Sequence, residues 1–442
     1  MNSRILGLVG CALIATGVAH AETIVHAGRV IDVEHGKVLT DQAIHIDGGK
    51  ITRVEPFGAS GVAKAGKDDT VVDWSQYTVV PGLIDLHTHV VDELQGSNIV
   101  APLMTTSAQN VLRGVRQARD TLRAGFTTIR DVGTWRGFTD VALRDAINDG
   151  TVQGPRMFVA GAYITVSGGG GEVTGLAPDV VIPADFRRGV ANSADEVRQR
   201  VREILNNGAD LIKVIATGAV LTSGTEPGAP EFGEAEIRAA VEEAKLRGAF
   251  VAAHAHGAEG IHRAVRAGVR TIEHGSYLDD EGIALMKQHG TWLVADIYNG
   301  DYIEEVGTRE HWPEEILRKN RETTQTQRDG FTKAVKAGVN IAFGTDAGVY
   351  PHGDNARQFA YMVKYGLTPM QAIRAATYDA ARVLGHDREF GSIAAGKSAD
   401  LVAVSGDPLA DIRTLEHVKA VIARGEAICG PGAVKCRDAS PP

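Results

Sequence analysis

A unit of an amphipathic helix, a glycine and a short apolar strand repeats through the middle of this 442-residue chain, from Pro81 to about residue 385. Glycine suits the left-handed backbone position just past a helix end. The helical patterns end at Gly125, Gly208, Gly248, Gly268, Gly290 and Gly338. Eight apolar strands are predicted, at 83–90, 127–133, 156–165, 210–218, 250–257, 269–275, 291–300 and 339–348. Eight strands alternating with helices predict an α/β fold, a (β/α)8 TIM-type barrel. A doubly wound open sheet is the alternative, but no glycine-rich phosphate-binding motif follows the first strand.

Both ends of the chain show a different pattern, in which short runs of alternating apolar residues are separated by turns. The pattern covers residues 22–80 and returns in residues 386–442. Alternation with a period of two is typical of strands with one buried face. Each segment is too small to fold alone. We therefore expect both to form one small β-sandwich domain beside the barrel domain of residues 81–385.

The first 21 residues are typical of a secretory signal peptide. Arg4 supplies the positive charge, residues 5–18 form an apolar run, and Ala19-His20-Ala21 offers a cleavage site. The run is shorter than the roughly 20 residues that span a bilayer, so no membrane span is expected. Lipoprotein processing at Cys11 is the alternative, but it leaves too short an apolar region before the cysteine. We expect an exported protein, periplasmic or secreted.

The net charge and the cysteines of the chain bear on its binding partners and on the state of its thiols. The formal net charge is −9 and no long basic run occurs, so no nucleic-acid partner is expected, because phosphate binding needs clustered Lys and Arg. Cys429 and Cys436 remain in the mature chain, with a Gly-Pro-Gly turn between them. An exported chain favours a disulfide between such a pair. Two unrelated free thiols are the alternative.

Polar residues able to bind a metal stand at the ends of five predicted strands, where a parallel barrel carries its catalytic groups. They are His87, His89, Lys213, His254, His274 and Asp346. Taken singly, each could be a hydrogen-bonded core or rim residue, and a His-x-His pair is a weak signal. Taken together, five strands that deliver such groups at the same end indicate a metal site.

The segment PGLIDLHTH, residues 81–89, resembles the opening motif of the amidohydrolase superfamily. The later candidate ligands fit its order and spacing, and residues 391–409 resemble its return to a small β-sandwich. The similarity covers nearly the whole mature chain. VAAHAHG at 251–257 and the segment 344–373 further resemble the prolidase-like branch. That branch includes Xaa-Pro dipeptidases, carboxypeptidases and ochratoxin-hydrolysing amidases.

The resemblance implies a binuclear hydrolase that holds two divalent ions, usually zinc. It assigns the ligands in two sets: His87, His89 and Asp346 for one ion, and His254 and His274 for the other. It also implies a carbamate on Lys213 that bridges the ions, which would turn an expensive buried cation into an anionic ligand. A metal-bridging hydroxide would attack the amide carbonyl. Asp346 would carry the proton to the leaving nitrogen.

The implied substrate is a small amide or dipeptide whose leaving side is an amino acid with a free carboxylate. Mononuclear deaminases of the same superfamily are an alternative, but Ala255-His256-Gly257-Ala258 lacks their His-x-x-Glu. Hydrolysis of a cyclic amide or lactone on the same site remains open, and so does a metal-holding or solute-binding barrel without catalysis. The loop Ser167–Glu172 lacks the histidine that follows paired glycines in many relatives, which bears on side-chain preference.

Three further residues are candidate substrate contacts. His256 shares a face with His254, Tyr298 ends the seventh predicted strand, and His352 lies on the loop after the eighth. An ordinary rim position is the alternative for Tyr298 and His352. The resemblance also implies a homo-oligomer, with an octamer as one assembly that it allows.

Overall fold

The structure is a computed structural model, and it describes residues 21–60, 69–92, 98, 100–431, 433–437 and 439–440. The predicted signal peptide apart from its last residue, including Cys11, lies outside the described residues. Within the described part, no helix combines the length and the apolar character needed to cross a membrane.

The described residues form sixteen strands and twelve α-helices. The strands are β1 Thr23–Asp32, β2 Lys37–Asp47, β3 Lys50–Pro56, β4 Thr70–Pro81, β5 Leu83–Thr88, β6 Phe126–Asp131, β7 Arg156–Val159, β8 Tyr163–Ile164, β9 Ile212–Ile215, β10 Val251–Ala255, β11 Thr271–His274, β12 Trp292–Val294, β13 Ile341–Ala342, β14 Leu401–Val404, β15 Val418–Ala423 and β16 Glu426–Cys429. The helices are α1 Phe57–Ser60, α2 Ser107–Arg123, α3 Thr139–Asn148, α4 Ala194–Asn206, α5 Glu234–Leu246, α6 Ala258–Ala267, α7 Asp280–His289, α8 Asn299–Arg309, α9 Glu314–Ala337, α10 Arg357–Lys364, α11 Pro369–Ala375 and α12 Tyr378–Leu384.

Two parallel sheets form the central part of the molecule. One has six strands in the order β13-β12-β11-β10-β9-β8, and the other has three in the order β5-β6-β7. Backbone hydrogen bonds connect them on two sides: Leu86 N donates to Phe343 O at 3.0 Å, and Asp210 N donates to Val159 O at 2.8 Å. Helices alternate with these strands along the chain. The fold is therefore α/β with parallel sheets, as the repeated unit predicts.

Two predicted strands differ from those observed. Residues 156–165 form β7 and β8, separated at Gly161, whose φ is +72°. Residues 291–300 give only the three-residue β12, because helix α8 begins at Asn299. Tyr298 is therefore the N-cap of a helix and does not end a strand as predicted. The apolar pattern overruns the strand because the residues after it, such as Ile297, are buried as well.

The glycines predicted at helix ends adopt the left-handed backbone conformation. Their φ angles are +94° at Gly125, +96° at Gly208, +73° at Gly248, +96° at Gly268, +70° at Gly290 and +76° at Gly338. A residue with a side chain is disfavoured in this conformation. These six glycines thus stop the helices and turn the chain towards the next strand.

Strands from both chain ends form one mixed sheet, in the order β16-β15-β14-β4-β1-β2-β3. β4 pairs with β1 in parallel and with β14 in antiparallel orientation. A separate apolar cluster, including Val25, Ile44, Trp74 and Leu401, packs on this sheet. The pairing of the two ends agrees with the alternating pattern, while the sandwich form stays a prediction. The end of β16 also carries the predicted disulfide, which joins Cys429 and Cys436.

Asp400 connects the mixed sheet to the parallel sheets. Its side chain is 5% exposed and accepts hydrogen bonds from Arg156 Nη1 at 3.1 Å and from Arg424 N at 2.7 Å. Its backbone oxygen accepts from Gly82 N at 2.7 Å, at the point where the chain passes from β4 to β5. A buried carboxylate with these partners fixes the two sheets relative to each other.

We expect Asp400→Ala to lower the free energy of unfolding by about 2 kcal/mol, because it leaves the partly buried Arg156 guanidinium without its anionic partner and Arg424 N without its acceptor. The measurement is urea unfolding followed by circular dichroism. The control is Asp195→Ala, whose side chain is 99% exposed and which should change stability by less than about 0.5 kcal/mol. Equal stability of the two variants would contradict this role for Asp400.

Candidate active site

The six predicted metal-binding residues line one cavity at the carboxyl ends of the parallel strands. They are His87 and His89 at the end of β5, Lys213 in β9, His254 in β10, His274 at the end of β11 and Asp346 beyond β13. Each is at most 8% exposed. The carboxyl ends of parallel strands lie at the same edge of a sheet, so residues that are far apart in sequence come together there.

One group of ligand atoms comes from His87, His89 and Asp346. The Oδ1 atom of Asp346 lies 3.3 Å from His87 Nε2 and 3.2 Å from His89 Nε2. All three ligand atoms lie within 4.8 Å of one another, which a single ion can bring together. Burial opposes ionisation of Asp346, but His87 and His89 hold its pKa well below the usual value. The carboxylate is therefore anionic near neutral pH.

A second group consists of His254, His256 and His274, whose ligand atoms also lie within 4.8 Å of one another. The rings of His256 and His274 are stacked, with centroids 4.7 Å apart. Burial, followed by the charge of neighbouring histidines, lowers the pKa of His254 and His256 well below 6.5. Neutral imidazoles are the form that binds a metal. The sequence predicts a metal ligand at His254 and a substrate contact at His256. In the structure, both residues belong to the same group of possible ligands.

Two residues of this rim hold unusual backbone conformations. φ is +68° at His274 and +59° at Asp346, in the left-handed region that L-residues rarely adopt. The backbone N–H of Asp346 donates to His87 O at 2.8 Å, which holds the turn in place. Both side chains are thus directed by a sharp turn at the end of a strand, and such strain is common at functional sites.

Lys213 is 1% exposed and lines the same cavity. Burial lowers its pKa to about 8, although the nearby charge of Glu273 opposes the shift. The amine is therefore far closer to its neutral form than a surface lysine is. The sequence prediction of an inward-facing lysine in this strand agrees with its position.

A buried ion pair supports the first group, and no sequence pattern indicated this pair. Glu273 accepts from His87 Nδ1 at 2.9 Å and from Arg130 Nη2 at 2.7 Å, and Thr271 Oγ1 also donates to it. Burial would raise the pKa of Glu273, but the charge of Arg130 and the hydrogen bond from His87 hold it far below 4.5. Anionic Glu273 accepts a hydrogen bond from His87 Nδ1, which keeps the ring proton on Nδ1. The other ring nitrogen, Nε2, therefore has a free lone pair that can bind a metal next to Asp346.

Asp296 is a further residue of the site that was not predicted from the sequence. Its Oδ1 accepts from His274 Nδ1 at 2.9 Å and from Gln327 Nε2 at 2.9 Å. Burial would raise the pKa of Asp296, but His274 lowers it to about 2. The amide of Asn299 donates to Asp296 Oδ2 and to Asp346 Oδ2, both at 3.1 Å. Asp296 follows β12 by two residues, so its position near a strand end was the available signal.

The three predicted substrate contacts lie in different places. His256 lines the cavity, and its Nδ1 lies 2.7 Å from Ser276 Oγ. Tyr298 and His352 are not among the described residues that line it. The ring of Tyr298 packs on Tyr350, with centroids 5.0 Å apart. His352 is buried behind the site, with Nε2 3.3 Å from His89 O. Substrate contact by Tyr298 and His352 stays a prediction, and neither residue lines this cavity.

The glycine-rich loop Ser167–Glu172 reaches the cavity through Gly170 and Gly171. Gly170 N donates to both carboxylate oxygens of Glu231, at 2.9 and 3.0 Å. A Cβ atom at Gly171 would lie 2.9 Å from Ile215 Cγ1 and 3.0 Å from Thr165 Cβ. The loop therefore packs its backbone directly against the cavity.

Residues 78–428 match the model of the amidohydrolase family. The ochratoxinase of Aspergillus niger is 31% identical over 436 residues, covering 93% of this chain and 87% of that protein. Its crystal structure superposes with a TM-score of 0.84. A solved Xaa-Pro dipeptidase with methionine in its active site is 39% identical, with a TM-score of 0.86, over 92% of this chain and 99% of its own.

A solved prolidase in complex with N-methylphosphonate-L-proline is also similar. It is 32% identical, with a TM-score of 0.84, and the match covers 92% of this chain and 99% of that one. The family match spans well over half of the chain and includes every residue of the cavity described above. The chain belongs to the amidohydrolase family, and it is a hydrolytic enzyme with histidine and aspartate groups suited to divalent metal ions.

Proposed function

We propose that the chain is a binuclear metal-dependent amidohydrolase that cleaves the amide bond next to a C-terminal amino acid. The substrate class comprises dipeptides, N-acyl amino acids and ochratoxin-like amides. The observation that carries the proposal is the convergence of two histidine-containing ligand groups and Lys213 on one cavity. Relatives described as an ochratoxinase, an Xaa-Pro dipeptidase and a prolidase support the same class of substrate.

We also propose the architecture behind this site. The two parallel sheets are parts of one closed (β/α)8 barrel of residues 81–385, since hydrogen bonds connect them on two sides. Residues 22–80 and 386–442 form the small β-sandwich domain. Residues 1–21 are the signal peptide of an exported enzyme, periplasmic or secreted, which works as a homo-oligomer.

The donor atoms fit two zinc ions. One ion would be held by the group of His87, His89 and Asp346, and the other by His254 and His274, two members of the second group. Neutral imidazole nitrogen and carboxylate oxygen are ordinary zinc ligands. A carbamate on Lys213 would bridge the two ions, and the lowered pKa of this buried amine favours the neutral form that reacts with carbon dioxide. When bound, the ions lower the pKa of water and polarise the amide carbonyl.

Asp346 is the proton carrier in this proposal. It is anionic at neutral pH and lies in the cavity, so it can accept the proton of the attacking water. The Asn299 amide holds its Oδ2 atom at 3.1 Å and fixes the carboxylate orientation. Asp346 then donates the proton to the leaving nitrogen, which departs as a neutral amine.

The function is tested by a screen of amide hydrolysis with zinc-loaded enzyme. The panel contains N-acyl amino acids and Xaa-Pro, Xaa-Phe, Xaa-Arg and Xaa-Lys dipeptides, with cyclic amides and lactones as competing classes. Release of the C-terminal amino acid from at least one linear amide supports the proposal. Turnover of the cyclic compounds alone would replace it with the cyclic amidase or lactonase alternative.

Substitution of Asp346 tests the proton carrier. We expect Asp346→Asn to lower kcat by about 10²- to 10⁴-fold, because the amide can still lie near the metal ions but cannot accept a proton. Metal content is measured on the same samples by mass spectrometry. Asp280→Asn is the control, since its side chain is 89% exposed. Full turnover by an Asp346→Asn enzyme that keeps its metals would rule out this role.

Removal of the Lys213 side chain tests the carbamate bridge. We expect Lys213→Ala to lose activity and to regain part of it when acetate or propionate is added, because a small carboxylate can occupy the bridging position. Lys333→Ala is the control, with a side chain that is 60% exposed. In metal-loaded wild-type protein prepared with ¹³C-bicarbonate, a carbamate carbon resonance is expected. An unmodified Lys213 amine in that sample would count against the bridge.

The buried pair beneath His87 is tested through metal affinity. We expect Glu273→Gln to weaken metal binding by about 10- to 100-fold, because a neutral amide no longer fixes the proton of His87 on Nδ1. The control is Glu243→Gln, a buried glutamate paired with Arg202 outside the cavity. Competition with a chelator measures the affinity of both variants. If the two variants bind metal equally well, Glu273 has no part in setting the metal site.

A further inference from the structure

The cavity wall away from the ligand groups carries no formal charge. Among the described residues that line the cavity, the charged ones are Lys213, Asp296 and Asp346, and all three belong to the metal-binding cluster or contact it. The remaining wall is apolar or neutral, and its members include Ile215, Val220, Leu221, Thr222, Ile303 and Thr323. A charged substrate group that lies against this wall would therefore find no oppositely charged side chain there.

A loop of residues 219–225 provides part of that wall. The loop follows β9, the strand that carries Lys213, and Val220, Leu221 and Thr222 face the cavity. Thr222 Oγ1 donates to Gly170 O at 2.6 Å, so the loop also contacts the glycine-rich segment. The position of residues 219–225 therefore sets the width of the cavity on this side.

The loop is held by a buried lysine that the proposed chemistry does not use. Lys319 in α9 has a side chain with 0% exposure, and its Nζ donates to Thr222 O and Thr225 O, both at 2.8 Å. A buried ammonium is expensive unless it is paired and hydrogen-bonded. Its partner is Glu315, with Oε1 at 2.9 Å. Through these hydrogen bonds, Lys319 attaches the backbone of the loop to α9.

Glu315 completes the attachment from the other side. Its carboxylate accepts from Ser223 Oγ at 2.6 Å and from Gly224 N at 2.8 Å. Lys319 and Glu315 are one helical turn apart, so one turn of α9 binds four consecutive residues of the loop, 222–225. Residues of the same helix, among them Asn320 and Thr323, line the cavity as well. The ion pair fixes the loop relative to a second part of the wall.

We propose that the Lys319–Glu315 pair and the 219–225 loop determine substrate specificity, and that they select amides with an uncharged, apolar side chain against this wall. The inference rests on the proposed function and deepens it by naming the substrate class. Lys319 and Glu315 are positioning residues, since they act through the loop. A charged side chain at this position would lose its hydration without gaining a partner, whereas an apolar one gains contacts.

The substrate class is tested with zinc-loaded full-length enzyme and two dipeptide series, Xaa-Leu and Leu-Xaa, in which Xaa is Leu, Met, Phe, Asp or Arg. At one of the two positions, kcat/KM for the apolar side chains is expected to exceed that for Asp and Arg by about 100-fold or more. Charged and apolar side chains accepted within about threefold at both positions would overturn the inference. An enzyme that cleaves none of these peptides and no other linear amide would instead overturn the proposed function.

The positioning role is tested by the selectivity ratio, which is kcat/KM for the preferred apolar dipeptide divided by that for its Arg counterpart. We expect Lys319→Met to lower this ratio at least tenfold, mainly through a higher KM for the apolar peptide. Lys333→Met on the same helix is the control, with a side chain that is 60% exposed, and it should leave the ratio unchanged. A loss of folded protein alone lowers both rates equally and cannot move the ratio.

Glu315→Gln keeps the test decisive if Lys319→Met does not fold. This variant retains the shape and an acceptor oxygen, so a smaller fall in the ratio, about threefold to fivefold, is expected. Leu221→Lys tests the wall itself, because it places a cation there and should raise kcat/KM for the Asp peptide relative to that for the Leu peptide. An unchanged selectivity ratio in folded Lys319→Met or Glu315→Gln enzyme would overturn the positioning role of the pair.

Discussion

The buried Arg130–Glu273 ion pair is the interaction on which the rest of the site depends. Both side chains have no exposed surface, and the pair lies beneath the histidines at the end of β5. Alone, either charge would be strongly unfavourable in this interior. Together they make Glu273 a permanent acceptor for His87, which sets the tautomer of the ring and therefore the direction in which its lone pair points. Asp296 does the same for His274.

The outline of the fold and the six candidate metal-binding residues of the cavity could be predicted from sequence, because both depend on local patterns. Glycines at helix ends and apolar runs indicated where the strands lie. The polar residues at the ends of these strands then indicated the candidate metal ligands. Glu273 and Arg130 could not be found in this way, because they lie in strands that are far apart in sequence. The residues around either one do not indicate that the two form an ion pair. The end of β12 was also misplaced, because Ile297 beyond it is as buried as the strand itself. That error placed Tyr298 at a strand end and hid Asp296.

In the proposed function, catalysis and specificity use different parts of the chain. The metal-binding side chains stand on strands or directly after them, held by buried carboxylates and by backbone turns with positive φ. The wall that faces the substrate is built from a loop and from α9, and the Lys319–Glu315 pair joins the two. Changes in the loop can therefore alter which amide is accepted without moving the ligands, since the strands that carry them are packed separately.

The pairing of β4 with β14 has a consequence for the order of events during biosynthesis. β4 ends at Pro81, and its antiparallel partner begins at Leu401, about 320 residues later in translation. Until that partner pairs with β4, one edge of the first four strands has unsatisfied backbone groups, which attract other strands. The amino-terminal sheet is therefore completed only when the last strands of the chain have been made and have folded against it.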